Sequence, residues 1–389
     1  MTAASRKRSS APSSVIAVIE SGGLNVLHSD FKLARGQKLV FPPGMPKTKW
    51  LSLPKQGTFE QQVQEVTSGA FGELKPNRLY WIRGTRLGLF VPDRAVDVFA
   101  DRFHATGTVS SAIGRKHGTN PEALAIFVPD GSEHAWEWLA KQSWIDAIST
   151  SYYTLIGGES ESPTCPEYRS MRTIFEAGRL TFSSSGNAEQ AGVAHTPAGS
   201  PYTYQVGGVD DQGHTYVPGV SGTEQSVTPT RPYETGDRFS FPAADSESLD
   251  GSMDFGGTSG ATPSTAGRAV ELLHYARSLI GSKFSGAQKG ALAIAAKEAS
   301  LPSRGPLKDG RLGLGEFVNL LHHVAVPAEP ASPVRYLVEG YGALNDQAIE
   351  RAKAVLRGKV AEPSRPDEDA MHDQVESARP LFFPGARCG

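Results

Sequence analysis

Val15-Ile16-Ala17-Val18-Ile19-Glu20-Ser21-Gly22-Gly23 is the stretch on which the reading of the whole chain turns. Five apolar residues in a row, closed by an acid and a glycine-containing turn, predict a short strand covered on both faces. That pattern belongs to a parallel sheet between helices, since a half-exposed strand would alternate. Glu20 then stands just beyond the carboxyl end of a central strand, where open α/β sheets keep their sites. The same acid could equally cap the turn that follows.

The pattern recurs at Ala123-Leu124-Ala125-Ile126-Phe127-Val128, and Ala147-Ile148-Ser149-Thr150-Ser151-Tyr152-Tyr153 and Leu180-Thr181-Phe182-Ser183-Ser184-Ser185 read as further strands. Between these runs, 104–114, 132–141 and 171–178 read as helices. Strand and helix therefore alternate, and the fold class is α/β in three layers, a mostly parallel central sheet with helices on both faces. Residues 32–100 are irregular apart from a hairpin, Arg78-Leu79-Tyr80-Trp81-Ile82-Arg83 with Leu87-Gly88-Leu89-Phe90-Val91. Val206-Gly207-Gly208-Val209 reads as a short strand, and 217–254, rich in Gly, Ser, Thr, Pro and Asp, as a long surface loop. Residues 285–299 and 348–356 read as further helices. One domain is expected over 15–360, after a disordered leader, 1–14, and before a charged, proline-containing tail, 361–389.

The formal net charge of -2 in 389 residues points to neither nucleic acid nor a membrane surface as a partner. Cys165 and Cys388 cannot make a disulfide framework, and no apolar run forms a signal region or a membrane span, so a cytoplasmic location is expected. Lys308-Asp309-Gly310-Arg311-Leu312-Gly313-Leu314-Gly315-Glu316-Phe317 looks like the second half of a calcium loop. Its first half fails, because Gly305 and Leu307 stand where side-chain oxygens are required. No metal and no cofactor are expected.

Chemistry concentrates in Gly256-Gly257-Thr258-Ser259-Gly260-Ala261-Thr262-Pro263-Ser264-Thr265-Ala266-Gly267. Pro263 is tolerated only near a helix start, and Ala269, Val270, Leu272, Leu273 and Ala276 follow at helical spacing to about Ile280. Ser259 thus lies at a positive helix end, either as a cap or as a hydroxyl placed where an oxyanion is stabilised. His104 opens a helix of small residues, as a packing residue or as a base. Asn187 follows Gly186 at a strand end, as a turn residue or as an amide donor.

Taken together, these segments resemble the subtilisin-like serine proteases. Val15 to Gly22 is similar to the family's strand ending in Asp-Ser/Thr-Gly, and Asn25-Val26-Leu27-His28-Ser29-Asp30-Phe31 to its His-Pro-Asp-Leu continuation. His104-Ala105-Thr106 resembles its His-Gly-Thr, Ser183-Ser184-Ser185-Gly186-Asn187 its Ala-Ala-Gly-Asn, and Gly257 to Pro263 its Gly-Thr-Ser-x-Ala-x-Pro. The resemblance runs over about 15–358 and implies a catalytic domain in which Ser259 is the nucleophile, His104 the base, Glu20 the orienting acid and Asn187 the oxyanion-hole amide. It also implies that Ser151, Tyr152 and Tyr153 bind the substrate, a peptide or protein. The chain departs from the family in Glu20, where aspartate is usual, in Ala105 for glycine, and in Tyr153 for glycine. A second His-Gly-Thr, His117-Gly118-Thr119, leads straight into Asn120-Pro121 and a strand, so His104 is preferred. The activity implied is peptide hydrolysis through an acyl-enzyme; acyl transfer from the same intermediate and peptide binding without catalysis are the alternatives.

Overall fold

The computed structural model describes residues 13–52, 74–92, 103–129, 131–152, 166–184, 197, 200, 202–209, 232–235, 239–242, 252–280, 291–292, 304–308, 310–326 and 342–360. Eight strands, β1 (Val15–Ile19), β2 (Lys49–Leu51), β3 (Arg78–Ile82), β4 (Leu87–Val91), β5 (Leu124–Val128), β6 (Ala147–Thr150), β7 (Leu180–Ser184) and β8 (Tyr204–Val206), make one sheet. Their order is β2-β3-β4-β5-β1-β6-β7-β8. Within that sheet only the β3–β4 hairpin is antiparallel; the other neighbouring pairs are parallel.

The apolar runs are explained by what covers them. Ile16 and Val18 point to one layer, α1 (Phe103–Ile113), α4 (Thr258–Leu279), α5 (Leu314–Val324) and α6 (Asp346–Leu356), where they join Val109, Val270, Phe317 and Ala352. Val15, Ala17 and Ile19 point to the other, α2 (Glu133–Ala140) and α3 (Pro166–Glu176), beside Trp136, Leu139, Met171 and Ile174. Every residue of β1 is 0% exposed, and burying each Val or Ile side chain contributes roughly 1.5–3 kcal/mol.

The small residues of α4 let it lie close against the end of α1. A Cβ on Gly267 would come within 2.2 Å of Thr119 Oγ1 and 3.0 Å of the Ala112 carbonyl oxygen. In that space Thr119 Oγ1 donates to the Ser264 carbonyl at 2.8 Å and Asn120 Nδ2 to that of Gly267 at 3.2 Å. At the amino edge of the sheet, Asp146 accepts from the Val15 N–H at 2.9 Å and from the Arg277 guanidinium, tying β1, β6 and α4 together.

Several expectations are corrected. The region 217–254 is not uninterrupted loop, because it contains β10 (Pro232–Thr235), β11 (Phe239–Pro242) and β12 (Ser252–Phe255). β11 and β12 pair antiparallel with Phe239 opposite Phe255. Their two-residue alternation is too short to stand out among Gly, Ser and Pro. Within 285–299, Ala291–Leu292 form a strand, β13, against β14 (Leu312–Gly313); the rest of that expected helix lies outside the described residues. α3 begins at Pro166, five positions before the expected Met171, because its first turn is polar and proline is favoured there. Ser13 and Ser14 belong to the fold, since the Ser13 N–H donates to Val40 and Ser14 is buried. The remainder of the leader and the tail lie outside the described residues. Glu316 of the calcium-like stretch caps α5, its Oε2 accepting from the Gly313 N–H at 2.8 Å. No described helix is long and apolar enough to cross a membrane.

Candidate active site

Parallel strands end together, and here this places two side chains side by side. β1 and β6 are hydrogen-bonded neighbours with Ile19 opposite Thr150, so the next residues, Glu20 and Ser151, sit at adjacent carboxyl ends about 4.8 Å apart. The Glu20 N–H donates to the Val128 carbonyl at 3.1 Å, which anchors it to β5 as well. Its side chain is 0% exposed, and Oε2 lies 2.9 Å from His104 Nδ1. With Glu20 ionised, Nδ1 must carry the proton, which leaves Nε2 of the imidazole as the basic nitrogen. Glu20 Oε1 is buried and has no hydrogen-bond partner among the described residues.

His104 stands in the first turn of α1 with its side chain 35% exposed. Thr106 Oγ1 accepts from the Asn25 N–H at 2.9 Å, so the loop after β1 is pinned to the turn that carries the imidazole. The ring of Phe255, at the end of β12, meets the His104 ring edge-on, with centroids 5.5 Å apart.

Ser259 is the second residue of α4. Gly257 leads into the helix with φ 70°, a left-handed conformation that disfavours any side chain. Gly257 has no side chain with which to cap the helix, and Ser259 lies in the first turn, at the positive end of the helix dipole. Pro263 has no N–H and therefore cannot serve the carbonyl four residues earlier, that of Ser259. The Ser151 hydroxyl takes over, donating to the Ser259 carbonyl at 3.0 Å. Ser259 is thus held to the residue beside Glu20, and Glu20 holds His104.

No protein-family model matches the sequence, and no curated protein matches it. Solved structures do match. The chain is similar to a variant of the protease domain of PatA, with 17% identity over 91% of this chain and 99% of that one and a TM-score of 0.51. It is similar to the prenylagaramide maturation protease PagA at 17% identity, 89% and 94% coverage and a TM-score of 0.50. It is also similar to the epidermin leader peptide processing serine protease EpiP of Staphylococcus aureus, at 12% identity, 90% and 76% coverage and a TM-score of 0.51. The fold is that of the subtilisin-like proteases.

In this subtilisin-like fold Glu20, His104, Ser151 and Ser259 gather at the carboxyl edge of β1 and β6. Asn187 and Tyr153 lie outside the described residues. Tyr152 points to the opposite face from Ser151, its hydroxyl accepting from Trp136 Nε1 at 3.1 Å and donating to the Gly131 carbonyl at 3.4 Å. The second motif is used in packing: the Gly118 N–H donates to the Gly114 carbonyl, Thr119 binds Ser264, and Glu20 meets His104. Phe255 had no role in the sequence reading; it carried a weak signal, an aromatic just before the glycine pair that enters the Ser259 helix. Asn25 and Thr106 entered that reading only as members of quoted motifs, and the bond between them is seen only in the fold.

Proposed function

We propose that the protein is a serine peptidase that opens a peptide bond through an acyl-enzyme on Ser259. The observation that supports it best is the 2.9 Å contact between buried Glu20 and His104 Nδ1, beside the positive helix end that carries Ser259. A serine hydroxyl is a poor nucleophile until a positioned imidazole removes its proton. His104 Nε2 takes that proton as Ser259 Oγ attacks the carbonyl carbon, and Glu20 holds the ring in the competent tautomer and offsets its positive charge. The oxyanion is received by the N–H of Ser259 and by the Asn187 amide, the latter a role carried by the resemblance. His104 then gives the proton to the departing amine, and water repeats the sequence in reverse to free the acid.

The substrate in this reading is a precursor peptide cut at a particular place. Two of the similar structures are, by name, a maturation protease and a leader-peptide-processing protease, which supports a narrow substrate over general digestion. Ser151 would line the bound peptide, with Tyr153 beside it as the resemblance implies, whereas the Tyr152 side chain is turned to the opposite face.

Incubating the full chain with a fluorophosphonate and measuring the intact mass tests the assignment. Labelling should map to Ser259 and vanish in Ser259→Ala. Well-folded protein that takes up no label would exclude the catalytic role. A gain of water in the products of a cut peptide separates hydrolysis from acyl transfer.

A further inference from the structure

Glu20 meets one nitrogen of His104, and about a third of the side chain is exposed. Phe255 packs against the same ring, edge-on at 77°. It is itself 6% exposed, and its position is set from behind by Gly107, one turn after His104 on the same face of α1. A Cβ on Gly107 would stand 2.7–2.8 Å from Cγ, Cδ1 and Cδ2 of Phe255, so the phenyl ring lies in a recess that exists only because residue 107 has no side chain. Phe255 ends β12 and stands four residues before Ser259, so the segment that brings the nucleophile also brings this ring against the base.

We propose that Phe255 is the positioning residue for His104. Seated in the Gly107 recess, its ring blocks rotation of the imidazole away from Ser259, so that the base keeps one orientation through the proton transfers. The inference rests on the reading of His104 as the base. It differs from simple core packing in what it demands of the ring: leucine would fill much the same apolar space, yet it offers no flat edge to the imidazole.

The test compares the full-length protein with Phe255→Leu and Gly107→Ala by two measurements. One is the second-order rate of labelling by a fluorophosphonate. The other is the low-field proton resonance of an imidazole N–H bonded to a carboxylate, assigned by its loss in His104→Ala. Phe255→Leu keeps an apolar side chain of similar volume and should melt close to wild type, while labelling slows about 10- to 100-fold through misplacement of the base and the resonance broadens. Gly107→Ala, which pushes the ring from the other side, should act in the same direction and decides the matter if Phe255→Leu does not fold. Wild-type labelling rates with an unchanged resonance would overturn the proposal. If the wild type itself takes up no label, the catalytic reading falls; the resonance then decides alone, and its persistence unchanged in the variants refutes the positioning role.

Discussion

Shortening Glu20 to aspartate, the acid usual in subtilisin-like proteases, should damage this protein. The reason is geometric. Removing one methylene withdraws the carboxylate by up to about 1.5 Å, the length of a carbon–carbon bond. The 2.9 Å contact with His104 Nδ1 would open to around 4 Å, past hydrogen-bond reach. The backbone cannot easily follow, because the Glu20 N–H is bonded to Val128 and β1 is paired on both edges. A misplacement of about 1 Å costs on the order of 10²-fold in rate, which is about 2.7 kcal/mol of barrier. Glu20→Gln makes the complementary change: the length stays, the charge goes, and the tautomer is no longer enforced, for which the loss is about 10⁴-fold in serine triads. The assay is the rate of fluorophosphonate labelling of Ser259, followed by intact mass well below the melting temperature of each variant. The small void left by Glu20→Asp should cost only about 1 kcal/mol of stability. The expected order is wild type, then Glu20→Asp, then Glu20→Gln. Aspartate labelling as fast as wild type, or faster, would refute the claim that the site is built to the length of glutamate.

Two predictions concern the frame. Asp146→Ala removes the carboxylate that pairs with the Arg277 side chain, 10% exposed, and that accepts from the Val15 N–H. Breaking one side of such a pair costs about 3–5 kcal/mol. With an unfolding entropy near 2.1 cal/mol/K per residue over roughly 350 residues, the melting temperature should fall by about 4–7 °C, while labelling at 20 °C is retained because this contact lies at the amino edge of the sheet; a thermal melt that does not move contradicts it. His322, on α5, has its pKa pushed down from 6.5 to about 3 by burial first and by neighbouring His323 second. The unfolded chain therefore takes up a proton below about pH 6.5 that the folded chain refuses, so this contribution to stability is complete above that pH and is lost as the pH falls towards 3. Between pH 6.5 and 5 the loss is about 2 kcal/mol. Urea unfolding at the two pH values measures it, and His322→Leu should flatten that part of the slope; an equal slope in the variant argues against His322 as its source.

What the sequence makes legible follows from how many neighbours a residue answers to locally. β1 and β5 are buried on both faces, so they are written as apolar runs, and α4 announces itself by small residues ahead of a periodic apolar stripe. β10 is short and pairs with separate segments, and β11 and β12 are short strands that pair with each other, so their pattern is drowned by the turn residues around them. The site divides in the same way. Ser259 and His104 carry local marks of a helix start, whereas their relation is made by contacts across the fold: Glu20 to His104 over 84 positions and Ser151 to Ser259 over 108. Phe255 was missed for that reason. An aromatic before a glycine pair has no meaning until Gly107 is found beneath it.

The central place of β1 also bears on how the chain comes to exist. It is made before the other seven strands of this sheet, yet it sits in the middle of the sheet, and the partners on its two edges, β5 and β6, are made much later. Until Thr150 has been synthesised, an apolar strand waits with two open edges, each a template for pairing with another chain. Delays in translation before that point thus carry the main hazard of aggregation. The segment of Ser259 arrives later still, so a nascent chain holds Glu20 and His104 well before it holds the residue proposed to attack.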